Sequence, residues 1–558
     1  MVEIFRELSQ SYRFTPLRLL SGLAEGADRL VAHAACKNGI ELVACLPMKR
    51  TLYEREFETV ESRGEFQELL NCAAEIVALP LVDDNTAENI QDQGPQRDKQ
   101  YQALGEFLVE QSQILIALWN GEATNRVGGT SWIVQLQLGQ QPSCDSSRLA
   151  SPLDYPETGP VYQVVTPRSS NAATVGEPYT RQERYHPGFE SDEAARKAYK
   201  RIFGRTDLFN RDALEGSSEL EGLIQQSKES LIPATSRNKM SHELQGLIDN
   251  YALADALAIY FQRLTKRSMQ RLIFVYGWVG LFLFALFGHG PSALQAPALF
   301  GYLLVIYLAF RHYRFAKSQE LKTRHLDYRA LAEGLRLQLF WKLGGLNHTV
   351  ANHYLRKQRS ELDWIRHAIR VWGSSLHRTT LAPDLPLVYK HWIQDQLKFF
   401  DRATRREAAH HRCELNWTWR PIYALVSIAA VVAGLTAINW FSGSVRFPYL
   451  TYRQPGASNH ATLELHGAAV IMMTVLAGVT GAVAAYSLKM AFNEQRKQYL
   501  RMRNLYQRAS GCIAQALADK DDGLVHKIMT DLGKEALEEN GDWVLLHRER
   551  PFELRIGA

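Results

Sequence analysis

Four apolar stretches beyond residue 270 constrain the fold of this chain more than any other feature. They cover about residues 272–288, 296–310, 422–441 and 467–488 of the 558-residue sequence. A helix of about 20 apolar residues is long enough to cross the hydrocarbon core of a bilayer. The second stretch is short and has Pro297 near its start, so a buried helical hairpin is its alternative interpretation. We therefore expect four transmembrane helices in two hairpins.

Basic residues beside these stretches predict their orientation. They are Arg263, Lys266, Arg267 and Arg271 before the first, Arg311, Arg314 and Lys317 after the second, Arg402, Arg405, Arg406, Arg412 and Arg420 before the third, and Lys489, Arg496, Lys497, Arg501 and Arg503 after the fourth. The connections carry few, with none in GHGPSA and only Arg446 and Arg453 between residues 442 and 462. The positive-inside rule then places both termini and the long middle segment in the cytoplasm. No charged residue lies deep in a stretch, which argues against an ion-coupled transporter.

The amino-terminal part combines short apolar runs with a helical pattern. Residues 17–20 and 40–46 are predicted to be buried strands, and residues 27–37 repeat apolar side chains at helical spacing. Gly39 is placed to end this helix as a carboxy-terminal cap. The order strand, helix, strand predicts a βαβ unit and therefore a parallel sheet.

A glycine-bearing turn joins the first strand to this helix. Its candidate ligand-binding residues are Ser21, Gly22, Glu25, Gly26 and Asp28. Glycine lets the backbone approach a ligand closely, and the free N–H groups at the start of a helix favour an anion. Asp28, in the first helical turn, can either cap N–H groups or accept a hydrogen bond from a ribose hydroxyl. A sharp turn without any ligand is the alternative interpretation.

A second turn of the same kind follows the apolar run QILIALW. Its candidate residues are Asn120, Gly121, Gly128, Gly129, Thr130 and Ser131, and a helix is predicted to begin there. Two such turns at the carboxyl ends of parallel strands usually border one crevice. The alternative is two unrelated turns.

The segments SGLAEGADRLVA, LIALWNG and GGTSWIVQLQL give the first 170 residues a resemblance to the SLOG superfamily. This group of Rossmann-like domains includes the lonely-guy phosphoribohydrolases and nucleotide-sensor domains. The resemblance implies an α/β Rossmann-like domain that binds a nucleotide or nucleotide-derived ligand and needs no further cofactor. Such domains usually begin with a strand, whereas this sequence begins in VEIFRELSQSY, which fits the helix after it, so we expect the first strand to be missing.

The resemblance favours binding over catalysis. The hydrolase branch carries a glutamate shortly after its paired glycines, but here the sequence is VGGTSWIV, with Trp132, Ile133 and Val134. No catalytic residue is therefore assigned. The alternative is a membrane-tethered nucleotide N-glycosidase or phosphoribohydrolase in which Glu25 or Asp28 supplies the acid and base chemistry.

The remainder of the chain is predicted to be all-α. We expect a SLOG-like domain at 1–170, a linker at 171–192, a helical connector at 193–271, a first transmembrane hairpin at 272–312, a cytoplasmic helical region at 313–420, a second hairpin at 421–488 and a cytoplasmic helical region at 489–558. The membrane helices, YRALAEGLR and ENGDWVLLHRERP resemble the SLATT-type membrane effectors. That resemblance implies a pore-forming partner of nucleotide sensors in bacterial conflict systems.

These features predict a homo-oligomeric effector in the bacterial inner membrane. A nucleotide signal would bind the cytosolic domain, and the transmembrane helices would then permeabilise or remodel the bilayer in antiviral defence. The other alternative is a membrane scaffold in which the glycine turns have only a structural role. Nucleic acid is not expected as a partner, because the basic clusters lie beside the membrane stretches, where they set topology and contact lipid headgroups.

The cysteines and histidines do not indicate a metal site. The six cysteines, Cys36, Cys45, Cys72, Cys144, Cys413 and Cys512, are scattered without a CxxC pair, so all six are predicted to be free thiols. His410 and His411 lie near Cys413, but adjacent histidines point to different faces of a helix. No metal ligand is therefore assigned.

Overall fold

The structure, a computed structural model, describes residues 1–82, 84–124, 127–140, 159–168, 173–216, 218–289, 292–346, 348–355, 362–374, 382–442, 465–490 and 492–548. Its contacts divide the chain into two compact units. The first contains Met1–Glu221, Ser241–Leu247 and Asn347–Thr380, and the second contains Gly222–Met240, Ile248–Leu346 and Leu381–Ala558.

Helices dominate the described residues. The helices before residue 240 are α1 (Val2–Ser11), α2 (Ala27–Lys37), α3 (Arg50–Tyr53), α4 (Val60–Cys72), α5 (Pro95–Gln111), α6 (Thr130–Gln137), α7 (Asp192–Leu214), α8 (Ser218–Leu231) and α9 (Ala234–Arg237). Those after it are α10 (His242–Gln270), α11 (Gly277–His289), α12 (Ser292–Ser318), α13 (Leu321–Leu343), α14 (Asp363–Ser374), α15 (Leu385–Val388), α16 (Asp395–Ser442), α17 (Leu465–Met490), α18 (Phe492–Ala518) and α19 (Asp522–Arg548). A π-helical turn, Arg271–Tyr276, joins α10 to α11, and a second, Tyr389–Gln394, joins α15 to α16.

The strands of the first unit form two small sheets. They are β1 (Arg18–Ser21), β2 (Glu41–Leu46), β3 (Glu75–Ala78), β4 (Leu115–Trp119), β5 (Val161–Val165) and β6 (Arg181–Arg184). One sheet has the order β1-β2-β3, and all its strands are parallel. In the other, β4 pairs parallel with β5, and β5 pairs antiparallel with β6. The predicted βαβ unit is thus confirmed as β1, α2 and β2, while β6 lies in the segment 171–192 that was interpreted as a linker.

Helices cover both faces of the strands in the first unit. Phe5 of α1 and Val31 and Ala35 of α2 form one core cluster, against which Leu19 of β1 and Ile116 of β4 also pack. On the other face, α5 contributes to a cluster that contains side chains of β1, β2 and β3. Strand β2 is buried along nearly its whole length, as expected for a central strand covered on both faces.

Two helical stretches are long and apolar enough to cross a membrane. They are His242–His289 and Ser292–Leu343, and only 11% and 6% of their most apolar windows are buried. Shorter apolar helical stretches cover Trp419–Val431 and Val470–Ala484 of the described residues, within α16 and α17. Helix α11 packs against α12 and α17, and α16 packs against α17. Four transmembrane helices remain a prediction.

The prediction that every cysteine is a free thiol is wrong for two of them. Cys36 in the last turn of α2 and Cys72 at the end of α4 form a disulfide. The two helices pack side by side and so bring together cysteines that are 36 positions apart, which their spacing in the sequence does not reveal. Cys45 and Cys512 are not disulfide-bonded. Cys144 and the side chain of Cys413 lie outside the described residues.

Candidate ligand site at two glycine turns

The Asp28 carboxylate is hydrogen-bonded to backbone N–H groups of the first glycine turn. Its carboxylate accepts hydrogen bonds from the backbone N–H groups of Ala24, at 3.4 Å, and of Gly22. Burial raises the pKa of Asp28, and these two hydrogen bonds only partly oppose that effect. Of the two roles that the sequence left open for Asp28, the structure therefore favours capping. An incoming anion would have to displace this carboxylate to reach the same N–H groups.

The space around Gly22 is closed by the protein itself. A Cβ atom at this position would lie 3.1 Å from Asp28 Oδ2 and 3.1 Å from a methyl group of Leu104. The hydroxyl of Tyr53 donates a buried hydrogen bond of 3.0 Å to the Gly22 carbonyl. Ser21 is also buried, and its hydroxyl accepts the Leu23 N–H at 3.2 Å. The inner part of the turn is thus a packed structural element.

The Arg29 side chain links the first glycine turn to α4. This side chain is buried, and it donates to the Leu23 carbonyl at 3.2 Å and to the Ser62 carbonyl at 2.8 Å. It also forms an ion pair of 2.9 Å with Glu65 and lies over the ring of Phe57, 4.3 Å from its centroid. The Arg29 hydrogen bond holds the pKa of Glu65 below its ordinary value. A single guanidinium therefore links the glycine turn, α4 and the aromatic core.

The outer part of the first turn remains open. Glu25 and Gly26 are exposed, and the Glu25 carboxylate accepts a hydrogen bond from the Ser62 hydroxyl. Gly26 precedes α2 with a φ of +91°, which favours glycine, and a Cβ atom there would meet nothing within 4 Å. No side chain caps the amino-terminal end of α2 at Gly26. The position directly before α2 therefore borders open space on the side where a side chain would lie.

Asn120 and Gly121 shape the start of the second turn. Asn120 is buried, and its amide donates to Glu122 Oε2 at 2.8 Å and to the Ala173 carbonyl at 3.3 Å. Gly121 has a φ of +88°, and a Cβ atom there would lie 2.8 Å from the side chain of Val175. Both residues are thus explained by contacts within the domain.

The amino-terminal end of α6 completes the second turn. Ser131 is buried and accepts the Thr124 N–H at 3.1 Å, whereas Thr130 is exposed. Gly129 precedes the helix with an extended backbone, at a φ of −81°, and as a glycine it has no side chain to cap the helix. Gly128 has a φ of +76°, so the turn needs glycine at this position. As in α2, a glycine without a capping side chain directly precedes the helix.

Helix α5 borders both turns. Gly22 lies against Leu104, while a Cβ atom at Gly128 would lie 3.1 Å from the backbone nitrogen of Gln102 and close to Tyr101. These three residues occupy a single turn of α5, which rises about 1.5 Å per residue. Both glycine turns therefore contact the same turn of α5, and a crevice shared by them stays a prediction.

Sequence reasoning missed Tyr53 and Arg29, which hold the first turn most firmly. Arg29 lies within the glycine-bearing segment SGLAEGADRLVA, but its role depends on contacts with α4, and Tyr53 lies 31 positions from Gly22. The available signal for Tyr53 was the set of spaced apolar and aromatic residues in and around α3 and α4, which indicates core and not a site. Within the described part of the chain, no group of three or more His, Cys, Asp or Glu side chains could hold a metal ion. The side chains of His410 and His411 lie outside it.

Comparisons with protein-family models, with curated proteins and with solved structures find no match to this chain. The candidate site is consequently interpreted from its own geometry. Its accessible groups are Glu25, Gly26, Thr130 and the amino-terminal ends of α2 and α6, whereas Ser21, Asn120 and Ser131 serve the packing of the turns.

Proposed function

We propose that this chain is a membrane effector whose amino-terminal domain binds a nucleotide or nucleotide-derived signal. The observation that carries the proposal is the pair of helix amino-terminal ends that a glycine precedes, at Gly26 and Gly129, whose turns contact one turn of α5. Helix amino termini offer N–H donors and a positive dipole end, which suit phosphate groups. The resemblance to SLOG nucleotide sensors supports the same ligand class.

The membrane part of the proposal is supported by where large apolar side chains are exposed. They concentrate on the four apolar helices, as Trp278, Phe282 and Phe284 on α11, Phe300, Leu303, Leu304 and Phe310 on α12, Tyr423, Val426 and Val431 on α16, and Met472 on α17. Many large apolar side chains exposed on the same few helices are expected where those helices face lipid.

Close packing between these helices supports a bundle of four spans in two hairpins. A Cβ atom at Gly280 of α11 would be 3.5 Å from Val305 of α12, and one at Gly301 would be 3.2 Å from Leu283. Gly478 of α17 lies directly against Leu281 of α11. Small residues at such crossings let membrane helices approach each other closely.

Hydroxyl groups in the apolar stretches do not favour a polar pore lining. Ser427 donates to the Tyr423 carbonyl at 2.8 Å, and Thr480 donates to the Leu476 carbonyl at 2.9 Å, so each bonds within its own helix. The proposed membrane activity is therefore a rearrangement or permeabilisation by the whole helix bundle. From the SLATT resemblance we further propose that the chain acts in antiviral defence at the bacterial inner membrane. It would act there as a homo-oligomer with both termini in the cytoplasm.

The first test is a thermal-shift screen of the full-length chain in detergent against nucleotides and cyclic oligonucleotides. A ligand at 100 times its Kd stabilises the native state by about 2.7 kcal/mol, which is measurable as an increase in Tm. Gly129→Trp should abolish the shift, because it places bulk at the start of α6 where the extended backbone accepts any side chain. Leu214→Trp is the matched control, since Leu214 is 73% exposed at the end of α7.

The same proteins in dye-loaded vesicles test the effector step. Dye release should need the ligand found in the screen and should be lost in Gly129→Trp but kept in Leu214→Trp. Equal release with and without that ligand would refute the gating mechanism. Absence of any shift across the panel would refute nucleotide binding and leave the scaffold interpretation, whereas release of free base from nucleotides would point to the hydrolase.

A further inference from the structure

Helices α2 and α4 are linked at two separate levels. Near the first glycine turn, Arg29 of α2 donates to the Ser62 carbonyl at 2.8 Å and forms an ion pair of 2.9 Å with Glu65. Cys36 lies seven residues after Arg29, and Cys72, to which it is bonded, lies seven residues after Glu65. Seven residues are two turns of helix, or about 10 Å. The ion pair and the disulfide therefore link the same two helices, one about 10 Å beyond the other.

The level near the turn reaches the accessible part of the candidate ligand site. The Ser62 hydroxyl donates to the carboxylate of Glu25, which is exposed, and accepts a hydrogen bond of 3.0 Å from Arg29. Arg29 in turn donates to the Leu23 carbonyl within the turn. The position of α4 therefore helps to fix both the turn and its exposed carboxylate.

The two bonded cysteines differ in exposure. Cys72, the last residue of α4, is exposed. Cys36 is half-buried and packs against the core cluster that contains Phe66 and Leu69 of α4. Thiol–disulfide exchange needs access of an attacking thiolate to one of the two sulfur atoms. A reductant therefore reaches Cys72 more readily than Cys36, and at a place away from the glycine turn.

The compartment of this disulfide is unusual. The basic residues beside the apolar stretches place the first unit in the cytoplasm, a placement that rests on the proposed function. Glutathione and dithiol proteins keep cytosolic cysteines reduced, and most disulfides found there are catalytic or redox-sensing. An exposed disulfide in such a domain is consequently expected to form and break, and not to be a permanent cross-link.

We propose that Cys36 and Cys72 form a reversible exchange site for a dithiol protein of the CxxC class, and that their redox state sets how firmly α4 holds the first glycine turn. One thiolate of the reductant attacks Cys72 Sγ, which gives a mixed disulfide and releases Cys36 as a thiolate that takes up a proton. The second thiolate of the reductant then attacks the reductant's own sulfur in the mixed disulfide and releases Cys72, which is also protonated. Two electrons thus pass from the dithiol, which becomes a disulfide, to the Cys36–Cys72 bond, which becomes two thiols.

Reduction changes what holds the carboxy-terminal half of α4. The polar contacts that remain lie nearer the turn, with Arg29 and with His33, whose ring nitrogen is 3.1 Å from Glu65. Beyond Glu65, only side-chain packing then keeps α4 beside α2. A helix segment that loses a cross-link opens more often to solvent. Reduction should therefore loosen α4 and, through Ser62, the exposed side of the turn.

Hydrogen–deuterium exchange on the full-length chain in detergent, without nucleotide, tests the proposal. The wild type is treated in turn with oxidised glutathione, with dithiothreitol and again with oxidised glutathione. Alkylation followed by peptide mass spectrometry reports the thiol state of Cys36 and Cys72. We expect dithiothreitol to make both cysteines alkylatable in the folded protein and to speed exchange in α4, around Leu69, by about tenfold. Amides of β2 should stay protected, and both changes should reverse on reoxidation.

Two variants complete the test. Cys72→Ser should exchange like the reduced wild type under every treatment, whereas Cys512→Ser, which replaces an exposed cysteine outside the disulfide, should behave like the wild type. The comparison of wild-type redox states decides the question even if Cys72→Ser does not fold.

Three results would each overturn the proposal. They are a bond that resists dithiothreitol until the protein unfolds, no bond after treatment with oxidised glutathione, and a reduction that leaves exchange in α4 unchanged. Every measurement is made without nucleotide, so failure here is distinct from failure of the proposed function.

Discussion

Replacing Glu539 with Gln should stabilise the second unit at alkaline pH and leave its stability nearly unchanged at acidic pH. Glu539 lies on α19, which packs against α13. Burial, followed by repulsion from Glu333 of α13, raises the pKa of Glu539 from 4.5 to about 7. Asp542 adds to this increase, whereas Arg329 and Arg336 of α13 oppose it.

The sign follows from proton linkage. Because the folded-state pKa is raised, the folded protein binds the Glu539 proton more tightly than the unfolded chain does. That contribution to stability is fully present below about pH 4.5 and is lost as the pH rises through about 7. A difference of about 2.5 between the two pKa values corresponds to a loss of about 3 kcal/mol above pH 8. Glu539→Gln removes this loss, because Gln resembles the protonated acid.

The assay is thermal unfolding of the detergent-solubilised chain at pH 5 and pH 8.5. We expect the Tm of Glu539→Gln to exceed that of the wild type by about 5 °C at pH 8.5 and by roughly 1 °C or less at pH 5. Glu535→Gln is the matched control on the same helix, since Glu535 is exposed, and it should show no pH-dependent difference. An equal difference in Tm between Glu539→Gln and the wild type at both pH values would refute the reasoning.

Three further predictions concern the first unit and are checked by unfolding measurements. Gly22→Ala should lower the free energy of unfolding by about 1 to 3 kcal/mol, because its methyl group overpacks the turn. Gly64→Ala, in an open position of α4, should raise the free energy of unfolding by up to about 1 kcal/mol. Equal effects of the two substitutions would contradict this reasoning. Cys36→Ser should lower the free energy of unfolding by about 3 to 4 kcal/mol, because it removes the disulfide to Cys72. It should also make Tm insensitive to reductant, and a reductant effect that persists in this variant would be evidence against the disulfide. Tyr53→Phe should lower the free energy of unfolding by about 1 kcal/mol, because the buried Gly22 carbonyl loses its hydrogen-bond donor. An unchanged Tm would show that this hydrogen bond contributes little to stability.

Local patterns predicted the secondary structure around the first turn well. The expected helix at residues 27–37 coincides with α2, since Gly26 and Gly39 bracket a run with helical apolar spacing. The expected strands at 17–20 and 40–46 fall within about one residue of β1 and β2. These elements were predictable because periodicity and glycine positions are properties of neighbouring residues.

The roles of the site residues were less predictable. The sequence left open whether Asp28 caps the turn or binds a ribose, and the answer depends on how the loop folds back over the carboxylate and on Leu104 of α5. Likewise, Asn120 and Ser131 are occupied by contacts with the loops beside them. A motif shows which residues lie near a turn but not which of their polar atoms are already bonded.

The sequence by itself determined that the chain is mostly helical, that a small parallel sheet lies near its amino terminus, and that long apolar helices follow. Composition and periodicity carry this information, since each element needs only its own apolar face. Only the tertiary structure decided that Cys36 reaches Cys72 and that Arg29 and Tyr53 hold the glycine turn. These features join residues that are far apart in the chain, so they exist only once packing has fixed which elements are neighbours.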